Sequence, residues 1–488
     1  MPQYETVIGL EVHAELNTAS KIYCSCKNAF SREPNTQICP VCMGLPGALP
    51  VLNEAVVDYA IRMGHALHCR INCVCRQDRK QYFYPDLPKA YQISQADHPL
   101  CEHGYLDIEA DGAHRRVRIA RIHIEEDAGK LLHDASCSGT LIDFNRCGVP
   151  LIEIVTEPDL RSSTEAKAFL DAVKAILRYL DISDCRMQEG SLRCDVNVSI
   201  RPTGCAEYGT RCELKNVNSF SAAVRGIEYE ERRQTAILTA GGTVAQETRR
   251  WDDAAGKSIL MRSKEDAQDY RYFPEPDLRT IAVEEARVQE LLESLPELPD
   301  AKVRRYIKEL GISPADASLL TETPERAAYF DACCAQGTCS AQSICNWILG
   351  DAAKYTNDTG ILISDTCMTS SRLTALIAAV EAGSISNSAG KTVFREVLAQ
   401  DKEPEVLITE LGLMQNSDAE ALSQLADAVL AANEKSVRDY CRGKTNALGY
   451  LVGQCMKASG GRANPKLVTE LITKRLSDHQ LQEDLYEV

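Results

Sequence analysis

Glu11, His13, Glu126, Glu153, Asp195 and Glu213 are five carboxylates and an imidazole set in segments whose remaining residues alternate or run apolar in the manner of β-strands. A buried carboxylate is costly unless it is paired, hydrogen-bonded or bound to a metal. Two bare carboxylates about 4 Å apart repel by roughly 4 kcal/mol at a near-surface effective dielectric. A polar floor built from these groups therefore calls for a divalent cation, and oxygen-rich donors with one imidazole favour Mg²⁺ or Mn²⁺ over zinc.

The strands that must carry them follow from the period of two. Residues 7–16 put Ile8, Leu10, Val12, Ala14 and Leu16 on one face and Glu11, His13 and Glu15 on the other. Residues 191–200 oppose Leu192, Cys194, Val196, Val198 and Ile200 to Ser191, Arg193, Asp195, Asn197 and Ser199, and Glu213 shares a face with Lys215. In residues 150–156 both faces are apolar except at Glu153, the pattern of a central strand. In residues 121–126, Ile122, Ile124 and Glu126 share a face, which places Glu126 toward the interior. Glu15, Glu125 and Asp127 read as solvent acids, and His123 as cover for a sheet edge. The joint expectation is one antiparallel sheet with an apolar side and an acidic floor. Any single strand of this kind is, taken alone, more simply the solvated face of a sheet.

Other segments support the floor. Cys24, Cys26, Cys39 and Cys42 form two close pairs joined by a polar loop, a spacing suited to structural zinc with no open coordination position. Residues 78–94 interleave Arg79, Lys80 and Lys89 with Tyr82, Phe83, Tyr84 and Tyr91, which suits a nucleotide or an RNA end and equally a tyrosine-rich strand and turn. Residues 270–278 repeat that mixture, and read as a loop that finishes the domain. Ser162 and Glu165 form a capping box for a helix over residues 162–180, whose apolar stripe predicts a cover for the sheet.

A chain of 488 residues exceeds one core and should divide into two to four domains. No apolar run reaches 18 residues, and the first residues carry neither a basic region nor a cleavage site, so a cytoplasmic protein is expected. The odd number of cysteines, 21, predicts reduced thiols or metal ligands in place of a disulfide framework. Prolines in 294–300 predict a domain boundary, and a second lies near residues 402–404. The expected domains are therefore 1–293, with the zinc knuckle inserted at 24–42, then a helical domain at 294–408 and a helical tail at 409–488. Residues 435–475 hold nine basic residues against two acidic ones in a chain of formal charge -16, a local surface suited to phosphate, with Gly443, Gly449, Gly453, Gly460 and Gly461 allowing close backbone approach.

These motifs, in this order, resemble the B-subunit family of glutamyl/aspartyl-tRNA amidotransferases. The resemblance runs through ETVIGLEVHAEL, DRKQYFYPDLPKAYQISQ, HIEEDAGK, DFNRCGVPLIEIVTEPD, EGSLRCDVNVSIRP, ELKNVNSF, QETRRW, DYRYFPEPDL, NWILG and GKTNALGYLVGQCMKASGGRANP, and covers essentially the whole chain. It implies an α+β fold: an antiparallel-sheet cradle like those of glutamine synthetase and guanidino kinases, then all-helical C-terminal domains. The implied activity is that of an ATP-dependent carbon–nitrogen ligase. Glutamate or aspartate misattached to tRNA is phosphorylated by ATP and then amidated by ammonia, which an amidase A subunit releases from glutamine, with a small C subunit completing the complex. The resemblance assigns His13, Glu126 and Glu153 to one Mg²⁺ and Glu11, Asp195 and Glu213 to a second, more transient one. Arg193 and Lys215, on the same faces, are the candidates for contact with ATP phosphates. Two other readings of the residues stand beside it: a self-sufficient amide ligase, and a zinc-bearing tRNA-binding protein without catalysis.

Overall fold

The computed structural model describes residues 3–486 except 32, 134–137, 264–269, 416–418, 442–443 and 460–462. It is an α+β chain of two compact units, Met1–Pro299 and Asp300–Val488.

The first unit is organised on a nine-stranded sheet. In chain order its strands are β1 (Tyr4–Glu15), β2 (Arg70–Ile71), β3 (Cys101–Ala110), β4 (Ala113–Glu126), β5 (Pro150–Thr156), β6 (Leu192–Pro202), β7 (Cys212–Val217), β8 (Glu247–Asp252) and β9 (Lys257–Ser263). They lie side by side as β9-β8-β7-β6-β1-β5-β4-β3-β2, so β1 is central and β4 is interior. Every pair is antiparallel except β7 with β8, which run parallel and make the sheet mixed, a departure from the all-antiparallel expectation. The reason lies in the connection. A 20-residue helix, α3 (Phe220–Thr239), carries the chain back to the starting edge before β8 begins, and such a crossover returns a strand in the same direction.

The apolar faces behave as their alternation requires. Ile8, Leu10, Val12 and Ala14 of β1, Ile152 and Ile154 of β5, Ile122 and Ile124 of β4 and Val196 and Val198 of β6 are all buried in one core. The helices α1 (Glu54–Ala66), α2 (Ser163–Tyr179) and α3 contribute to that core. Ser162 caps α2 by accepting the Glu165 N–H at 3.1 Å, as predicted, but the reciprocal half differs. Glu165 accepts the N–H of Arg161, one residue earlier, at 2.7 Å, because its other oxygen is drawn to Arg115 on β4 at 2.6 Å. Burial of the helical stripe, with Phe169, Leu170, Val173 and Leu177 essentially inaccessible, adds roughly 2 kcal/mol per side chain.

The regular elements of the second unit are helices, from Pro299–Leu310 to Pro465–Tyr486. They enclose two separate apolar clusters, one spanning Tyr306 to Ile408 and the other Leu422 to Leu476. Among the described residues no helix is long and apolar enough to cross a membrane.

Candidate functional site

Directly opposed residues of antiparallel strands project to the same face, so the register states which side chains meet. Arg193 of β6, His13 of β1, Glu153 of β5 and His123 of β4 form one row across the open face of the sheet. Glu15, Leu151 and Glu125 form the row on one side of it, and Asp195, Glu11 and Val155 the row on the other.

Two donor clusters result. His13, Glu125 and Glu153 each offer a ligand atom within 4.8 Å of the others, and so do Glu11, Asp195 and Glu213. In the first cluster His13 Nε2 lies 3.4 Å from Glu153 Oε2 and 3.6 Å from Glu125 Oε1. His123 Nε2 approaches the same carboxylates at 3.1 and 3.7 Å. Burial disfavours protonation of both imidazoles, but the carboxylates outweigh it: Glu153 and Glu125 hold His13 above its ordinary value and push His123 up to about 9. Burial likewise works against ionisation of Glu153, yet the charge and hydrogen bond of His123, with those of His13, bring it well below the usual carboxylate range. In the second cluster Lys215 Nζ donates to Asp195 at 2.5 Å and to Glu213 at 3.0 Å, and Asn197 donates to Glu11 at 2.9 Å. Burial, and then the charges of Glu153 and Asp195, raise the Glu11 pKa.

Of the expected set His13, Glu126 and Glu153, the structure brings His13 and Glu153 together and places Glu126 apart from them. Glu126 stands opposite Pro150 and points to the other side of the sheet, where Lys89 donates to both of its oxygens, at 2.5 Å to Oε2, and the Ile93 N–H donates to Oε1 at 3.0 Å. The face it shares with Ile122 and Ile124 is the core face, while Glu153 pairs with His123 and so shares its side with Glu125. His123, Glu125 and Asp127, read from the sequence as peripheral, are 4%, 3% and 5% exposed, and β4 is an interior strand. The available signal was parity: His123 and Glu125 alternate with the two core isoleucines.

Arg193 and Lys215 both reach the floor, but each is already paired. Arg193 donates to Asp127 at 2.6 Å, so contact with a phosphate requires exchange of partners. On this face Glu15 Oε1, His123 Nδ1, Arg121 Nε and Arg193 Nε are buried without a hydrogen-bond partner. Buried polar atoms are normally satisfied, so such a concentration marks a place where ions, water or substrate enter.

The two aromatic segments join into a small sheet in which Phe273–Pro274 pairs with Asp78–Gln81, and this with Tyr91–Ser94. Arg79 donates to Glu275 at 2.7 and 2.8 Å and lies 4.2 Å over the Tyr91 ring, which accounts for much of the interleaved charge as internal packing. Lys80 departs from that role. Its ammonium lies 5.0 Å from the Tyr270 ring, and although burial opposes its charge, Glu125 together with Tyr272, Glu153 and Tyr270 raises its pKa, so the sequence concealed a cation facing the floor.

The sulfurs of Cys24, Cys26, Cys39 and Cys42 also lie within 4.8 Å of one another. A hydrogen bond from the Cys24 thiol, with the Cys39 N–H at 3.1 Å and the Lys21 ammonium at 3.8 Å, brings the Cys42 thiol down to about 5 despite burial, the state a metal-binding thiolate requires.

Fold and site together define a class: α+β proteins in which one face of a large sheet is a core and the other carries acid and imidazole clusters with the spacing of metal donors. The family described as the GatB/GatE catalytic domain matches residues 6–289, and the GatB domain matches residues 328–476. The chain belongs to the GatB/GatE family. It is 54% identical over 477 residues to the B subunit of the aspartyl/glutamyl-tRNA(Asn/Gln) amidotransferase of Caldicellulosiruptor bescii, covering 97% of this chain and 99% of that one. The protein of the same name from Thermoanaerobacter pseudethanolicus is 52% identical, with coverage of 97% and 100%. That from Carboxydothermus hydrogenoformans is 49% identical, with coverage of 98% and 100%.

Proposed function

We propose that this chain is the amidating B subunit of a glutamine-dependent tRNA amidotransferase, converting Glu-tRNA(Gln), Asp-tRNA(Asn) or both to the amidated forms at the expense of ATP. The observation that carries the reading is the row of His13, Glu153 and His123 with Glu125 beside it, one half-buried and three buried groups of metal-binding chemistry on one sheet face and next to a second acid cluster. The donors fit hard divalent ions. His13, Glu125 and Glu153 would hold one Mg²⁺, and Glu11, Asp195 and Glu213 a second. When bound, such ions neutralise charge on transferring phosphoryl oxygens.

The chain's own residues do the rest. His123 positions Glu153, Asn197 orients Glu11, and Lys215 balances Asp195 and Glu213 until nucleotide phosphates compete for its ammonium. Arg193 is poised to exchange Asp127 for an anionic substrate group. Phosphorylation of the substrate carboxylate by ATP turns its oxygen into a leaving group, and ammonia then displaces phosphate to form the amide. A partner amidase A subunit supplies that ammonia, a small C subunit joins the two, and the four cysteines hold structural Zn²⁺.

The test is a reconstitution. The chain with ATP, Mg²⁺ and misacylated tRNA should amidate when given free ammonium, and should use glutamine only when the amidase partner is present. Absence of ATP-dependent amidation with either nitrogen source would defeat the reading, and amino-acid analysis of the deacylated product names the substrate. One zinc per chain by metal analysis checks the cysteine site. The tail is proposed to contact tRNA, although Arg438, Lys444 and Arg475 are paired with Glu434, Asp439 and Asp427, and Arg442, Arg462, Gly443, Gly460 and Gly461 lie outside the described residues. Truncation after Glu434 should weaken tRNA affinity and flatten its salt dependence by about 0.7–0.9 in log–log slope for each phosphate no longer bound. An unchanged slope would assign the tail another role.

A further inference from the structure

The open face of the sheet ends in a cavity on each side of the row through His13. One, of about 280 Å³, is lined by Gly9, Glu11, Thr156, Asn197, Tyr208 and Arg211. Its hairpin is fixed by Gly209, where a Cβ would fall 2.0 Å from the Ile200 carbonyl oxygen. The other, of about 410 Å³, is lined by Glu15, Asn28, Phe30, Lys130, Arg146 and Ser191. Both sizes suit a nucleoside-scale ligand, the larger falling inside the usual range of about 300–1,000 Å³ for small-molecule sites.

Glu11, His13 and Glu15 follow one another on a single strand face, so Glu11 at one cavity and Glu15 at the other are about 13 Å apart along β1, with His13 of the first donor cluster midway. Phosphoryl transfer brings the attacking and leaving oxygens roughly into line through the phosphorus. Donor and acceptor must therefore approach a metal-bearing centre from opposite sides, and this floor offers one cavity per side. The cavity at Glu11 adjoins the second acid cluster and Lys215, the groups suited to a metal-bound polyphosphate. That leaves the cavity at Glu15 for the acceptor.

Its walls match an aminoacylated RNA end. Phe30, in the loop between the two cysteine pairs, is 66% exposed at the cavity, an unusual state for a phenyl ring and a ready stacking platform for a base. Lys130 is exposed beside it, and Arg146 donates to the carbonyls of Ala128 and Gly129 at 3.0 and 2.8 Å, holding a fixed guanidinium at the wall. Three of the four acids that line the cavity have partners of their own: Asp184 and Glu189 pair with Arg186 at 3.6 and 3.2 Å, and Asp143 accepts the N–H groups of Asn35 and Asn145 at 3.1 and 3.0 Å. We propose that this cavity receives the 3′-terminal adenosine of the aminoacylated RNA, its base stacked on Phe30 and its ester directed past Glu15 to the floor. The cysteine knuckle then acts as a wall of the acceptor site as well as a structural staple. The assignment rests on the amidotransferase reading and deepens it by giving each substrate its end of the floor.

The experiment uses the full chain in its reconstituted complex and compares Phe30→Ala with Phe30→Tyr. Because Phe30 is exposed, both variants should keep wild-type zinc content and thermal midpoint. Loss of one stacked base should raise the KM for misacylated tRNA about tenfold in Phe30→Ala, with kcat and the KM for ATP within about twofold of wild type, and Phe30→Tyr should restore the affinity. Calorimetry with adenosine carrying a 3′-glutamyl ester reads the same cavity without turnover, and binding should be lost in Phe30→Ala and kept in Phe30→Tyr. An unchanged KM for tRNA with unchanged ester binding would overturn the proposal, as would a raised KM for ATP, which would place the nucleotide at this end. A wild-type complex that bound the ester at Phe30 but never amidated tRNA would refute the amidotransferase reading while sparing the cavity.

Discussion

Around His13 the carboxylates of Glu125 and Glu153 are 3% and 8% exposed and are held by two imidazoles, whereas around Glu11 the carboxylates of Asp195 and Glu213 are half-buried and held by the ammonium of Lys215. The difference is one of readiness. Imidazoles that position carboxylates can stay in place when a cation arrives and shed a proton, because a neutral histidine is itself a ligand or a hydrogen-bond donor to one. An ammonium at 2.5 Å from Asp195 stands where a metal ion would place its charge, so it must move first. On the proposed reading, the first cluster would be a preformed site and the second a site whose occupancy is exchanged.

The sharpest way to break the first half of this comparison is charge removal without change of size. Glu125→Gln or Glu153→Gln should lower amidation by about 100-fold or more, since ion-based charge stabilisation is worth several kcal/mol, and should weaken Mn²⁺ binding in parallel. Glu126→Gln, on the opposite side of the sheet and bonded to Lys89, should leave Mn²⁺ affinity unchanged while lowering thermal stability. Calorimetric titration of the three variants decides the matter. Lost Mn²⁺ affinity in Glu126→Gln with retention in Glu125→Gln would restore the assignment made from sequence.

That assignment shows what the chain discloses and what it withholds. β1 and β6 were legible because each has one core face and one polar face, and alternation records that directly. β5 was legible as a central strand with one foreign residue. In β4 the local pattern fails at Glu125-Glu126-Asp127, where acids occupy both faces, and the choice between them depends on the pairing of Glu153 with His123. Register between strands is tertiary information. The same holds for Arg79 and Glu275, nearly two hundred residues apart in sequence, whose pairing turns two aromatic segments into one small sheet. The parallel β7–β8 pair was hidden for a different reason: a strand's direction depends on its connection and leaves no mark on the strand's own residues.

A second prediction sharpens the exchange half. Lys215→Met removes the competing ammonium but keeps its apolar stem, so Mn²⁺ affinity at the second cluster should rise about tenfold, the change produced by a shift of about 1.4 kcal/mol. Without added divalent ions the variant should melt a few degrees lower, because Asp195 and Glu213 lose their counter-charge. Weaker Mn²⁺ binding in Lys215→Met would show that the lysine assembles the cluster in place of competing for it.

The smallest effect is in pH. Burial opposes the charge on His123, but Glu153 and Glu125 outweigh it and bring its folded pKa up to about 9, above the usual 6.5. A group whose folded value is raised stabilises the fold when protonated. Its contribution is complete below about pH 6.5, declines between there and about 9, and is absent above. Melting curves recorded without added Mg²⁺ should therefore fall across this window, and His123→Phe should flatten the profile. A slope unaltered by the substitution would remove His123 from the cluster's charge balance.

The alternation of β1 has a consequence for how such a chain can change over time. Side chains on a strand repeat every two residues, so inserting or deleting a single residue ahead of Glu11 would rotate Glu11, His13 and Glu15 into the core and expose Leu10, Val12 and Ala14. Fold and chemistry would fail together. Length changes in this segment should survive only in pairs, or where a bulge absorbs the odd residue, as one does in β4, where Ala120 is left over opposite the Val155–Thr156 step of β5. The spacing of the acids is thus protected by the same core that the strand's other face builds.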